Sequence, residues 1–278
     1  MIIKNHRVFK DEQNLLDFRL SPITNRSTRR IDPIFLVIHY TAGASKESSI
    51  SWFMNPQAKA CSHLVIGRDG SITQMVPFDQ LANHAGPSFW HGYSGLNRFS
   101  IGIELDNPGK LKRSFDGGWQ TSFNRKVKNE DVHIARHKHE PFETGWHSYT
   151  QEQIQATIDI SLLLHQKYNF HDIVGHDDIS PNRKADPGPA FPMESFRSKV
   201  LGRNQNETQV FKTTTTLNIR SGPGLDNRLL EEGPLPPNTR VEILDESHLT
   251  WKLVDVLDPV NGISGIQGWV HGRYIAEL

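Results

Sequence analysis

Apolar residues in this chain come in short runs broken by Gly, Pro, Asn and Asp, and their spacing changes character near residue 200. Residues 34–40, IFLVIHY, form an apolar run with a polar end, the pattern of a central strand covered on both faces. KESSISWFMN (46–55) predicts a short helix with Ser45 as its N-cap. SHLVIGR and SITQMVP flank Asp69-Gly70, which predicts a hairpin. In SIGIEL (100–105), Ile101, Ile103 and Leu105 alternate with Gly102 and Glu104, so the carboxylate points away from the packing face. TQEQIQATIDISLLLHQKY, from Thr150, opens on a capping-box pattern and carries Ile154, Ile158, Leu162 and His165 at helical spacing. DIVGH predicts a further short strand ending at His176. Strands alternating with helices place residues 1–201 in the α/β class, as one mixed domain.

Beyond it, GRNQNETQ (202–209) is polar and predicts a linker. TTTTLNIR, TRVEILDE, TWKLVDVL and QGWVHGRYI follow, separated by SGPG, PLPPN and DPVNG, and predict a small all-β barrel over 210–278. Segment 109–149 fits neither pattern. It carries Lys110, Lys112, Arg113, Arg125, Lys126 and Lys128 with Trp119 and Trp146, and is expected to be a long looped insertion.

Charge narrows the function classes. Lys and Arg together number 31, as do Asp and Glu, so no net field favours nucleic acid or an anionic membrane as partner. No segment approaches the ~18 apolar residues of a membrane helix. A soluble monomer is expected. MIIKNHRVFKDEQNLLDF lacks the apolar core of a secretory signal, which makes the cytoplasm the default compartment, with the cell wall or periplasm left for another export route. Cys61 is the single cysteine; it excludes an internal disulfide and a cysteine zinc cage, and is expected to be a buried, inert thiol.

The chemistry concentrates in residues 175–188, GHDDISPNRKADPG, a poor helix and a poor strand that nevertheless holds a histidine, three aspartates and a lysine. His39 and His176 each stand at the end of an apolar strand, and Pro187-Gly188 fix the backbone after Asp186. Two imidazoles and one carboxylate suit a tetrahedral Zn²⁺ with a fourth position left for water. Taken alone, His39 reads more readily as a hydrogen-bonded structural histidine. HExxH is absent, so the helix-borne zinc-protease pattern does not apply. Asp177 and Asp178 either orient His176 or cap the turn.

HYTAG around His39, NHAG around His84, SIGIEL around Glu104 and GHDDISPNRKADPG, in this order, resemble the zinc-dependent N-acetylmuramoyl-L-alanine amidases of the type-2 family. That family shares its fold with peptidoglycan recognition proteins, and the resemblance covers most of residues 30–200. It implies a mixed β-sheet flanked by helices, with one Zn²⁺ per chain held by His39, His176 and Asp186. It makes Glu104 the catalytic glutamate, which takes a proton from the attacking water and returns it to the leaving amine. It likewise implies that Lys184 stabilises the oxyanion. His84 and Asn97 match groove-lining positions, and Trp90 and Trp119 are candidates for stacking on sugar faces. The histidines at 133, 137, 139 and 147 read as solvated or groove-lining rather than as a second metal site. LNIRSGPG, WKLV and GWVHGRYI resemble a bacterial SH3-like (SH3b) domain over 210–278, which implies either binding of cell-wall peptides or a barrel that only packs.

The implied activity is hydrolysis of the amide between the lactyl group of N-acetylmuramic acid and L-alanine, in peptidoglycan or muropeptides. Two alternatives stand beside it: a non-catalytic peptidoglycan-binding protein, whose relatives lack a ligand position, and a zinc peptidase cutting within the stem peptide. All three ligand positions and Glu104 are filled here, which favours the enzyme.

Overall fold

A computed structural model describes residues 1–202, 210–245, 248, 250–263 and 266–278. The chain divides into two compact units, Met1–Arg203 and Asn204–Leu278. In the first, β1 (Asp17–Phe18), β2 (Phe35–Tyr40), β3 (Leu64–Ile66), β4 (Ile72–Gln74), β5 (Ser100–Leu105) and β6 (Asp172–Gly175) form one sheet in the order β6-β2-β5-β3-β4-β1. Strands β6, β2, β5 and β3 run parallel, and β3 and β4 form the antiparallel hairpin expected around Asp69-Gly70.

The parallel centre is apolar on both faces because both are covered. On one, Leu36, Ile38, Ile101, Ile103 and Leu105 pack against Ile158, Ile160 and Leu164 of α2 (Gln151–Tyr168) and Phe196 and Val200 of α4 (Met193–Val200). The opposite face is divided. Phe35, Val37 and Val174 meet Ala85, Leu96 and Ile179. Val65 meets Ile50 and Phe53 of α1 (Lys46–Met54) together with Cys61. Burial pushes the Cys61 thiol up to about 11, which keeps it protonated.

Both helix starts follow from their caps. Ser45 Oγ accepts from Ser48 N at 3.2 Å while Ser45 N donates to Ser48 Oγ at 3.1 Å. At α2 only half of the box forms. Thr150 Oγ1 accepts from Gln153 N, but the Gln153 amide turns inward and donates to Ile66 O at 3.0 Å and Asp106 O at 3.2 Å. The helix is thereby tied to the sheet.

Three local expectations change. Strand β6 ends at Gly175, and His176 opens the one-turn helix α3 (His176–Ile179). The N-terminal residues form a hairpin, Ile2–Lys4 with Arg7–Phe9, and a strand Arg26–Arg30 paired with Gln80–Ala82, none of which their polar sequence announces. Segment 109–149 is not a plain loop. It contains a three-stranded ribbon (Lys112–Arg113, Trp119–Gln120, Lys126–Val127) and a hairpin, Val132–Arg136 with Glu143–His147. Strands this short and this charged carry no readable alternation.

The second unit is all-β. Its antiparallel sheet runs Gln267–His271, Trp251–Val256, Arg240–Asp245, Val210–Thr213, Ile275–Glu277 and encloses a core of Leu217, Ile219, Leu235, Val241, Val254 and Val270. The linker expectation falls on residues 203–209, outside the described ones. Among the described residues, no helix is long and apolar enough to cross a membrane.

Candidate active site

Three adjacent parallel strands deliver the central groups. Register pairs Gly175 with Ile38 and His39 with Glu104, so His39 on β2 and Glu104 on β5 stand level with His176, the residue that follows β6 and opens α3. This is the carboxyl edge of the sheet, where open α/β sheets accept ligands. Asp186 arrives from the following loop, whose two ends are joined by Asp177 N donating to Asp186 O at 2.8 Å.

His39 Nδ1 lies 2.9 Å from both His176 Nδ1 and Asp186 Oδ2, and His176 Nδ1 is 3.0 Å from the same oxygen. All three residues are buried. Their outer contacts fix the protons. His176 Nε2 lies 3.1 Å from Ala85 O, which only accepts, and 3.2 Å from Arg183 Nη2, whose own hydrogens have Ala85 O, Pro87 O and Ser180 Oγ nearer to hand, so we assign the hydrogen to Nε2. Ser100 Oγ gives its proton to Leu96 O at 2.6 Å and therefore accepts from His84 Nε2 at 3.2 Å. His84 Nδ1 is then an acceptor, filled by His39 Nε2–H at 3.0 Å. Both inner nitrogens thus present lone pairs to a carboxylate oxygen, with no proton among the three. A cation resolves that conflict, and the N, N, O donor set fits a divalent first-row metal. Among the described residues this is the group of His, Cys, Asp or Glu side chains able to hold one.

The charges agree. Burial, reinforced by His176, lowers the His39 pKa to about 4, so the ring stays neutral. Burial alone would raise Asp186, yet the two imidazoles beside it, His176 and then His39, outweigh burial and hold the carboxyl well below its usual range. Glu104 behaves oppositely: burial, then the charge of Asp186, pushes its pKa well above the usual carboxylate value, while Lys184 pulls it down. Its Oε2 is buried without a hydrogen-bond partner.

A cleft of about 530 Å³ opens over these groups, lined by His84, Glu104, His176, Lys184 and Asp186 together with Tyr40, Trp52 and Phe53. Gly102 lies beneath His84, where a Cβ would come within 2.6 Å of the ring. Among the described residues, the Lys184 ammonium makes no ion pair.

Other expected residues stand elsewhere. Asn97 does not line the cleft; its Oδ1 accepts from His84 N at 3.1 Å and Ala85 N at 2.7 Å, supporting the turn that carries His84. Trp90 donates from Nε1 to Asp172 Oδ2 at 3.0 Å, packs against the cluster of Phe35, Val37, Ala85, Leu96, Val174 and Ile179, and is not among the residues lining the cleft. Trp119 is buried within the insertion, under the Arg113 guanidinium. Trp119 therefore offers no open face to a sugar. Asp178 caps the turn by accepting from Gly175 N at 2.7 Å, and Asp177 pairs with His137 rather than with His176.

Sequence reasoning missed Trp52 and Arg183. Ser48, Ser49, Trp52 and Phe53 share one face of α1 and all line the cleft, a stripe visible in the helical spacing alone. Arg183 Nη2, with two hydrogens to give, lies within hydrogen-bond distance of Ala85 O (2.8 Å), Pro87 O (3.0 Å) and Ser180 Oγ (2.7 Å), joining the loop of Asp186 to the turn of His84.

Residues 29–189 match the family described as N-acetylmuramoyl-L-alanine amidase (Amidase_2), more than half of the 278 residues. Over 176 residues the chain is 35% identical to N-acetylmuramoyl-L-alanine amidase AmiD of Escherichia coli (strain K12), a match covering 60% of this chain and 53% of AmiD. It therefore spans about half the length of that relative. Identity to 1,6-anhydro-N-acetylmuramyl-L-alanine amidase AmpD of the same strain is 30% over 187 residues, covering 60% of this chain and 82% of AmpD. A crystal structure of a selenomethionine derivative of AmpD matches with a TM-score of 0.50 and 25% identity, covering 72% of this chain and 99% of that one.

Proposed function

Because the chain belongs to the N-acetylmuramoyl-L-alanine amidase family and its first unit is an amide hydrolase of that family, we propose that it cleaves with one Zn²⁺ held by His39, His176 and Asp186. The bond is the amide between the muramoyl lactyl group and L-alanine. One observation carries the metal assignment: two imidazole lone pairs and a carboxylate oxygen converge within 3.0 Å while their outer hydrogen bonds leave no proton to separate them. Bound there, Zn²⁺ would supply Lewis-acid polarisation and acidify the attacking water.

The remaining chemistry belongs to the side chains. Glu104, level with His39 and holding its proton more tightly than an exposed carboxylate, takes the proton of the attacking water and delivers it to the nitrogen as the C–N bond breaks. Lys184 brings a positive charge to the cleft, where negative charge develops on the carbonyl oxygen. His84 and Trp52 line the wall that substrate must pass. The AmpD relatives are named for 1,6-anhydro-muramyl substrates, so a soluble anhydro-muropeptide is the substrate class proposed for this chain. Mass spectrometry of the digest tests this. Release of an intact peptide beginning at L-alanine is expected; fragments cut within the stem peptide would contradict it.

The second unit is proposed to be SH3-like, supported by its five-stranded antiparallel sheet and separate core. A chain ending at Leu201 is expected to fold and to keep its kcat/KM on soluble muropeptides, losing rate only on intact sacculi if the barrel tethers the enzyme. Circular dichroism and parallel assays on both substrates check this; failure of the shortened chain to fold would contradict the division.

A further inference from the structure

We propose that the hairpin Val132–Arg136/Glu143–His147 is a brace that positions the loop bearing His176 and Asp186. Its tip carries His137, buried to 2% exposure. His139 N donates to His137 Nδ1 at 3.2 Å, which leaves the proton on Nε2, and Nε2 donates to Asp177 Oδ2 at 2.9 Å. Lys138 Nζ pairs with the other oxygen of Asp177 at 3.0 Å, and His139 Nε2 stands 3.1 Å from Asp177 O. The hairpin also reaches the far end of the loop. Trp146 stacks on His137 and fills the space over Gly188, where a Cβ would meet its ring at 2.7 Å. Just beyond the hairpin, Tyr149 OH donates to Pro187 O at 2.8 Å.

These contacts bear on the residues next to the ligands. Asp177 follows His176, and its N–H closes the loop onto Asp186 O. Pro187 and Gly188 follow Asp186. Holding 177 at one end and 187–188 at the other fixes the span over which His176 and Asp186 must meet. Donor groups kept within 3.0 Å of one another need such support, because a ligand set left loose binds metal less tightly. The buried Asp177 carboxylate gives the brace its specificity: without the His137 donor, Oδ2 is left unpaired in the interior.

The brace rests on the metal assignment above, and the test separates the two. In the full-length protein, His137→Ala is expected to speed hydrogen exchange of the 176–188 amides in the metal-free state. It should also weaken Zn²⁺ binding, measured by competition with a chromophoric chelator well below the Tm of the variant, by about tenfold or more. His137→Gln keeps a side-chain N–H donor and should recover most of the affinity. Should His137→Ala fail to fold, Tyr149→Phe, which deletes only the hydroxyl on Pro187, should show the same exchange and affinity changes. Unchanged exchange and affinity, or a loss in His137→Gln equal to that in His137→Ala, would overturn the brace. If wild-type protein takes up no Zn²⁺, the metal assignment fails while the exchange comparison still decides the brace.

Discussion

Glu104→Gln is expected to lower kcat on a muropeptide by about 10²–10⁴-fold while zinc content stays at the wild-type level. The substitution preserves shape and burial and removes only the ability to carry a proton. Glu104 stands level with His39 but contributes no atom to the His39, His176, Asp186 group, so the metal shell is untouched. Its buried, unpartnered Oε2 and its raised proton affinity suit a group that accepts a proton and gives it up again within one turnover. Metal analysis beside single-turnover kinetics separates this role from a structural one. Near-wild-type turnover would exclude Glu104 as the proton carrier.

Gly102→Ala tests the support beneath the metal group. A Cβ at this position would lie 2.6 Å from Cγ and Nδ1 of His84, closer than packed atoms tolerate. The backbone has little room to give. Gly102 N donates to His63 Nδ1 at 3.0 Å, and Gly102 O accepts from Ser62 Oγ at 2.7 Å and from His63 N at 3.2 Å. The imidazole must therefore move, and with it the acceptor that holds His39 Nε2–H. A destabilisation of about 1–3 kcal/mol is expected from overpacking, seen as a Tm several degrees lower, together with weaker Zn²⁺ binding. A variant with wild-type Tm and wild-type zinc affinity would show that His84 does not govern His39.

What the sequence could disclose follows from how local each signal is. Helix α1 was legible because Ser45 and Ser48 are three positions apart, and the β3–β4 hairpin because Asp69-Gly70 carries its turn by itself. Strand β5 was legible because Ile101, Ile103 and Leu105 alternate with the residues that face the site. Asn97 and Trp90 do not line the cleft, and nothing nearby in sequence tells a cleft wall from the supports behind it; the partner of Trp90, Asp172, is 82 residues away. His137 was equally opaque, since its partner Asp177 is 40 residues on and belongs to another element. The three ribbon strands of the insertion were not legible because two-residue strands have no period to detect.

The central claim is that one Zn²⁺ is bound by His39, His176 and Asp186. Elemental analysis of protein equilibrated with Zn²⁺ and freed of loosely held metal tests it most directly, with Asp186→Ala run alongside. One zinc per wild-type chain and essentially none in Asp186→Ala is the predicted result. A wild-type chain that hydrolyses muropeptides with no metal bound, or an Asp186→Ala chain that retains a full equivalent, would contradict the account.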